Sequence, residues 1–280
     1  MLAAVNSAIF PAGAPLAEQL AAARSAGFAG VELVIAADTP LRADQPLDAF
    51  AQARRIADDA GVALVGLACP LYFQTHFASA DPADRARAVD LTIALLDRAV
   101  AAQVDALVIV PAVVGRTADP TPQASYADAL NRTFDALAEL RFEAESHGVT
   151  IALETVWNRF LLSPVETSDL LERVNSPCVG VCVDTGNVLA TSYPQDWIAT
   201  LGRRVVRVHA KDYDLCKPGR SGFCPLGEGS VDWSAVISAL RRVRYDGPVI
   251  YEGGGEPAEA CRRLRNILAD RHPLSGAAHP

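Results

Sequence analysis

Four side chains that are able to bind a divalent metal each stand at the end of a short apolar run. They are Glu154 after Thr-Ile-Ala-Leu, Asp184 after Val-Cys-Val, His209 after Val-Arg-Val and Glu252 after Val-Ile-Tyr. Three carboxylates gathered without a cation would repel one another and raise one another's pKa, so a divalent ion is their natural counter-charge. The alternative interpretation is that each acid is a solvated loop residue or pairs with a base such as Lys211 or Arg207.

The donor set narrows the choice of metal. Carboxylate oxygens with a single imidazole nitrogen favour Mn²⁺, Mg²⁺ or Co²⁺ over a closed structural zinc site. We therefore predict one divalent ion per chain, with Mn²⁺ as the first choice and Mg²⁺, Co²⁺ or Zn²⁺ as alternatives.

Such a site requires that the apolar runs be strands whose carboxyl ends meet. Strands are predicted at 3–9, 30–35, 62–68, 106–110, 150–154, 179–183, 205–209 and 248–252. Helices are predicted at 16–26, 47–60, 83–101, 126–147, 167–174, 187–201, 233–243 and 257–269. This alternation predicts an α/β protein, a single (β/α)8 TIM barrel over residues 1–270, with a C-terminal tail at 271–280. A doubly wound open sheet is the alternative, but no Gly-x-Gly-x-x-Gly follows the first strand.

Glycines punctuate this pattern where helices should end. Gly27, Gly61, Gly148 and Gly247 follow helical stretches and precede strands, as helix C-terminal glycines do. Ser163 followed by Pro164 is typical of a helix start.

The charge balance argues against several classes of partner. The chain has 25 basic and 33 acidic residues, a formal net charge of -8, which disfavours binding to nucleic acid or to an anionic membrane surface. Apolar runs are far shorter than the ~20 residues of a membrane span. No basic residue precedes Arg24, so we expect no signal peptide, a cytoplasmic protein and reduced cysteines.

Several segments together resemble a known family. They are GFAGVEL, GVTIALETVWNRFLLSP, VGVCVDTGN, VVRVHAKD, PLGEGSVDW and YDGPVIYEG. They are similar to the sugar phosphate isomerase/epimerase family of xylose isomerase-like barrels, which includes ketose 3-epimerases, hexulose-phosphate epimerases and inosose dehydratases. The resemblance implies that Glu154, Asp184, His209 and Glu252 hold the metal. Ketose epimerases often carry histidine where this chain has Asn187, so the resemblance specifies the substrate poorly.

The two glutamates of this set are the predicted catalytic pair. If Glu154 and Glu252 lie on opposite faces of a bound ketose, one removes the C3 proton and the other returns a proton to the enediolate, which inverts the centre. The same site could instead support aldose–ketose isomerisation or an inosose dehydratase-like elimination. A non-catalytic sugar-binding barrel and a DNA-repair endonuclease rank lower, the latter because few histidines are available.

Substrate contacts are predicted from residues near the strand ends. The candidates are Lys211, Asn187, Trp157, Asn158, Arg220, His76 and Glu228. Lys211 shares strand parity with His209 and should point into the same cavity. Glu32, at the matching point of the second strand, is expected to hold a sugar hydroxyl or Arg207, and the pairing with the arginine is favoured. Arg220 and the glycines 253–255 lie in loops after the last two strands, where barrels often bind phosphate. The predicted partner is a sugar or a sugar phosphate, and the sequence leaves open whether the chain forms a homo-oligomer.

Overall fold

The computed structural model describes residues 1–116, 119 and 121–269. Eight parallel strands form a closed barrel, which confirms the predicted (β/α)8 architecture. The barrel strands are β1 (Leu2–Asn6), β2 (Gly30–Val34), β3 (Ala63–Cys69), β4 (Ala106–Ile109), β5 (Thr150–Glu154), β6 (Val179–Asp184), β7 (Val205–Ala210) and β10 (Pro248–Tyr251). The short strands β8 (Asp212–Tyr213) and β9 (Phe223–Cys224) form an antiparallel pair after β7. The predicted tail at 271–280 lies outside the described residues.

Helices follow the barrel strands on the outside. They are α1 (Leu16–Ala26), α2 (Leu47–Ala60), α3 (Pro82–Ala101), α4 (Tyr126–His147), α5 (Pro164–Val174), α6 (Thr185–Val188), α7 (Pro194–Leu201), α8 (Trp233–Arg242) and α9 (Pro257–Leu268). Within the part of the chain that is described, no helix combines the length and the apolar character that crossing a membrane requires.

Two predicted elements differ from the structure. The helix expected at 187–201 is two helices, because Tyr193 precedes Pro194 and takes an extended backbone, as residues before proline favour. The first strand does not reach residue 9. It ends at Asn6, whose side chain accepts a hydrogen bond from Ala8 N and starts a 3-10 turn.

Three of the four predicted helix-ending glycines are confirmed. Gly27, Gly61 and Gly148 follow α1, α2 and α4 with left-handed backbones, at φ values of 95°, 70° and 64°. The prediction for Gly247 is wrong, because α8 ends earlier and Arg244 takes the left-handed conformation instead. Ser163 caps α5 by accepting a hydrogen bond from the backbone of the first turn, as predicted.

Side chains fill the barrel interior below the carboxyl ends of its strands. Small side chains on β3 to β6, namely Ala68, Val108, Ala152 and Cys182, pack together as a buried cluster. Below them, Arg207 donates hydrogen bonds from Nε and Nη2 to Val65 O, at 3.1 and 2.8 Å, and also pairs with Asp105. This plug leaves the carboxyl ends as the open face of the barrel, where active sites of this architecture lie.

Candidate active site

The four predicted metal-binding residues converge at the carboxyl end of the barrel. One ligand atom from each of Glu154, Asp184, His209 and Glu252 lies within 4.8 Å of the other three. They come from the ends of β5 and β6, from β7 and from the position just after β10. Three carboxylate oxygens and one imidazole nitrogen at this spacing fit a divalent cation with hard-ligand preference.

His209 lies at the centre of this cluster with an almost completely buried side chain. Its Nδ1 is 3.1 Å from Glu154 Oε1 and 2.9 Å from Glu252 Oε2. Its Nε2 is 2.9 Å from Glu32 Oε2 on the opposite side of the ring. Nδ1 is therefore the nitrogen that faces the candidate metal position.

Asp184 is completely buried, and its two oxygens have different partners. Oδ1 accepts hydrogen bonds from the backbone N–H groups of Gly186 and Asn187, at 3.0 and 2.9 Å. Oδ2 accepts one from Asn187 Nδ2 at 2.7 Å and lies 2.9 Å from Lys211 Nζ. The start of α6 therefore fixes the carboxylate and leaves Oδ2 directed toward the cluster.

Lys211 supplies positive charge to the carboxylates. Its Nζ bridges Asp184 Oδ2 and Glu252 Oε2, the latter at 3.1 Å, and its side chain is only 18% exposed. Burial alone would lower the pKa of Lys211, but Asp184 and Glu252 raise it above its ordinary value. The ammonium group therefore stays charged at neutral pH.

The pKa values of Glu154 and Glu252 are shifted in opposite directions. Burial raises the pKa of Glu154 to about 7, and the Glu252 carboxylate adds to this rise. Burial also acts to raise the pKa of Glu252, but Lys211 and His209 outweigh it and hold this pKa well below its usual range. The carboxyl of Glu154 therefore holds a proton more readily than that of Glu252, an arrangement suited to acid–base chemistry.

An aromatic wall borders the site. Trp157 stacks on Phe223 at 5.0 Å between ring centroids, and Tyr213 meets both rings edge-on. The Trp157 indole donates a hydrogen bond to Asn187 O at 3.0 Å, and Lys211 Nζ lies 5.3 Å from the Phe223 centroid. The wall thus connects the loop after β5 with the β8–β9 hairpin.

Two cavities open beside the cluster. One, of about 420 Å³, is mainly apolar and is lined by Trp157, Tyr213 and Asn187 among others. The other, of about 580 Å³, is lined by Lys211, Glu252, Arg220 and residues 253–255. The structure therefore brings four of the seven predicted substrate contacts to these cavities, namely Trp157, Asn187, Lys211 and Arg220, together with the glycine loop at 253–255.

The other three predicted substrate contacts have different surroundings. Asn158 is buried, and its amide donates to Ala112 O and accepts from Phe160 N, so it shapes the loop after β5. Glu228 pairs with Arg263 of α9 at 2.6 Å. His76 is buried and lines neither of these two cavities, and burial lowers its pKa. Its Nδ1 has no hydrogen-bond partner among the residues that the structure describes.

Some supporting residues were not predicted from the sequence. Glu32 was expected to hold either a sugar hydroxyl or Arg207, with the arginine pair favoured. That pairing is wrong, because Glu32 binds His209 and Asn6 instead. Asp212 is another, since its carboxylate accepts hydrogen bonds from Gly227 N, Val231 N and Trp233 Nε1. Asp212 ends the VVRVHAKD segment, but the sequence pattern predicts no role for it.

Known proteins share this fold and parts of the sequence. A 3-oxo-isoapionate decarboxylase of Pectobacterium atrosepticum is 35% identical over 119 residues, 38% of this chain and 41% of that protein. A ketose 3-epimerase of Arthrobacter globiformis is 30% identical over 155 residues, 51% of this chain and 50% of that protein. The chain thus matches half or less of the length of these relatives.

Similarity of the fold covers more of the chain than similarity of the sequence does. A crystal structure of D-psicose 3-epimerase superposes with a TM-score of 0.78 at 19% identity, covering 99% of this chain and 100% of the other. The model of the xylose isomerase-like TIM barrel family matches residues 20–270. The chain therefore belongs to the xylose isomerase-like TIM barrel family.

Proposed function

We propose that the protein is a metal-dependent ketose 3-epimerase that acts on a sugar or a sugar phosphate. One observation carries the proposal: Glu154 and Glu252 both face His209 Nδ1, and their pKa values are shifted in opposite directions. An epimerase needs one group that accepts a proton and another that donates one, and this pair supplies both. The family membership and the ketose 3-epimerase relative support the same reaction.

The residues present fit a divalent ion, for which Mn²⁺ is our first choice. Glu154, Asp184, His209 and Glu252 would hold it through three oxygens and one nitrogen. When bound, the ion supplies positive charge that stabilises the substrate's oxyanion after proton removal. Lys211 is placed to add a second positive charge at the same edge of the site.

The side chains divide the proton transfers between them. In one direction, ionised Glu252 removes the C3 proton of the ketose and protonated Glu154 delivers a proton to the opposite face of the enediolate. In the reverse direction the roles exchange. Burial and the neighbouring Glu252 carboxylate raise the pKa of Glu154, so this carboxyl takes up a proton more readily than an exposed glutamate does.

The cavities suggest how the rest of the substrate binds. The face of Trp157 can pack against the C–H surface of a sugar, as aromatic rings do at such sites. Arg220 and the glycines 253–255 offer a guanidinium and backbone N–H groups to a distal phosphate. We extend the proposal to a cytoplasmic protein, as the sequence predicted, with oligomeric state left to measurement.

Proton exchange with solvent tests the reaction. We expect the Mn²⁺-loaded protein, incubated in D2O with pentuloses, hexuloses or their phosphates, to incorporate deuterium at C3 and to form the C3 epimer. Glu154→Gln and Glu252→Gln should abolish both events, whereas Glu143→Gln, at a partly exposed position of α4, should leave them intact. Deuterium at C1 with an aldose product would indicate isomerisation, and loss of water would indicate dehydration. Either result would contradict epimerisation.

A second candidate function has one specific observation in its favour. The relative that is 35% identical is named as a 3-oxo-isoapionate decarboxylase. Loss of CO2 from a 3-oxo acid also leaves an enolate, which the same positive charges would stabilise. Release of CO2 from a 3-oxo sugar acid, with no deuterium exchange into any ketose, would replace the epimerase proposal with this one.

A further inference from the structure

Glu32 is not one of the four metal-site residues, yet it contacts one of them. Its side chain is completely buried in β2, and Oε2 lies 2.9 Å from His209 Nε2. The other ring nitrogen, Nδ1, faces Glu154 and Glu252. A carboxylate oxygen accepts hydrogen bonds, so the contact with Glu32 favours a proton on Nε2. A divalent ion held by the cluster would then displace the proton from Nδ1 and leave the one on Nε2 in place.

Asn6 fixes the orientation of the Glu32 carboxylate. Its Nδ2 donates to Glu32 Oε2 at 2.8 Å, and its own Oδ1 accepts from Ala8 N at 3.0 Å. Asn6 is 4% exposed and ends β1, so its position is set by the barrel. The side chains of Asn6 and Glu32 therefore connect the backbone after β1 to the ring of His209.

The surroundings of Glu32 do not otherwise account for a buried acid. Oε1 lies away from solvent and is without a hydrogen-bond partner among the described residues. Burying a carboxylate with one unsatisfied oxygen costs free energy, and an apolar side chain of similar size would avoid this cost. Two contacts distinguish Glu32 from such a side chain, the hydrogen bond from Asn6 that orients it and the contact with His209, and only the second reaches the cluster.

We propose that Glu32 is a positioning residue that fixes the tautomer and ring orientation of His209 and so presents Nδ1 to the divalent ion. The inference rests on the metal centre of the proposed function and is independent of which sugar is the substrate. Carboxylates that hold the second nitrogen of a metal-binding histidine typically change metal affinity 10–100-fold when they are removed.

Metal affinity is the first test. We expect titration calorimetry with Mn²⁺ to show an affinity about 10-fold weaker in Glu32→Gln and up to about 100-fold weaker in Glu32→Leu. Gln keeps the shape but removes the charge, so its amide oxygen accepts a weaker hydrogen bond from His209 Nε2–H than the Glu32 carboxylate does. Thr92→Val is the matched control, because it removes a buried hydrogen bond between α3 and the turn after β3 that involves none of the four cluster residues. Its Mn²⁺ affinity should match that of the parent.

The tautomer of His209 is the second test. In Mg²⁺-loaded parent protein, ¹⁵N-detected spectra should show His209 protonated at Nε2, and Glu32→Gln should lose or shift this signal. If Glu32→Leu does not fold, Asn6→Ala takes its place in the test. This variant keeps Glu32 and should show an intermediate loss of Mn²⁺ affinity. Mn²⁺ affinities within twofold of the parent in Glu32→Gln and Asn6→Ala would overturn the proposal. So would an unchanged Nε2–H signal in Glu32→Gln.

These results separate from those that test the reaction. Weakened Mn²⁺ binding in the Glu32 variants, with no deuterium exchange by the parent, would support the positioning role and contradict only the epimerase. A parent that binds no Mn²⁺ would overturn the metal centre and the role of Glu32 together.

Discussion

Replacing Lys211 with Met should destabilise the metal-free protein and leave the metal-loaded protein nearly unaffected. The ammonium group lies 2.9 Å from Asp184 Oδ2 and 3.1 Å from Glu252 Oε2. Side-chain exposures of 18% for Lys211, 0% for Asp184 and 29% for Glu252 leave little solvent to screen these contacts. Removing the lysine leaves a cluster of carboxylates without their cation.

The size of the effect follows from these two contacts. A hydrogen bond between charged groups contributes about 1.5–3 kcal/mol, and removing one partner strands the other. Because the freed carboxylates will take up protons, we expect a net loss of about 2–4 kcal/mol in the free energy of unfolding, not the full sum. For a chain of this size, about 2 °C per kcal/mol gives a decrease of about 4–8 °C in Tm.

Thermal unfolding at a fixed scan rate, with and without Mn²⁺, measures this effect. Saturating Mn²⁺ should close most of the gap, because the ion replaces the missing positive charge. Lys217→Met is the matched control, since Lys217 is 58% exposed and pairs with Asp214 at 3.2 Å on the surface. It should change Tm by about 1 °C or less. A Lys211→Met deficit that persists in full with Mn²⁺, or one no larger than the control, would refute the reasoning.

Three further predictions concern the metal, the phosphate and the base of the barrel. Chelation should abolish turnover, and Asp184→Asn should lower the Mn²⁺ content of the purified protein measured by elemental analysis; full activity in chelator would contradict the metal centre. Arg220→Ala should reduce kcat/KM for a ketose phosphate by about 10–150-fold, the equivalent of 1.5–3 kcal/mol, and leave the free ketose unchanged. An equal loss for both substrates would exclude a phosphate role. Asp97 and the Glu143 carbonyl raise the pKa of His147, so its contribution to stability is present below pH ~6.5 and is lost as pH rises through the raised value. His147→Gln should therefore lower the midpoint of urea unfolding at pH 6 more than at pH 9, and a pH-independent difference would contradict this.

The main features of the fold and the convergence of the four cluster residues were predictable, because both depend on local patterns of apolar and polar residues. Apolar strand runs and amphipathic helices repeat along the chain, and a closed barrel then brings all the carboxyl ends of the strands to one face. Four strand ends that carry Glu154, Asp184, His209 and Glu252 must therefore meet. Nothing beyond strand order and residue type is needed for that conclusion.

Features that depend on a particular loop path were harder to predict. Asn158 and Glu228 have polar groups at positions that fit a sugar site, and their roles as substrate contacts stay predictions. The structure uses their polar atoms to hold the loop after β5 and to pair with α9. A polar side chain in a loop can bond to many different groups. The spacing of residues along the sequence does not tell which of these groups the folded loop brings near.

The Glu32–His209 contact shows why neighbouring strands are not enough to predict a site. β2 and β7 do not pair with each other in the barrel, and the two residues are 177 positions apart in the chain. Their side chains meet because both point into the interior near its open end, where the distance across a barrel of eight strands is short enough for side chains to touch. Local pattern identifies which residues face inward. Glu32 contacts His209, whereas Arg207 binds Val65 O and Asp105 at the amino end of the barrel. Which of these partners a residue meets depends on its depth along its strand. Depth is set by the strand stagger around the closed barrel, and two irregularities of register, after Val31 and after Val181, alter that stagger on the strands concerned. A sequence reading that assigns strands but not their stagger therefore finds the four residues that could hold a metal ion and misses the buried glutamate that contacts one of them.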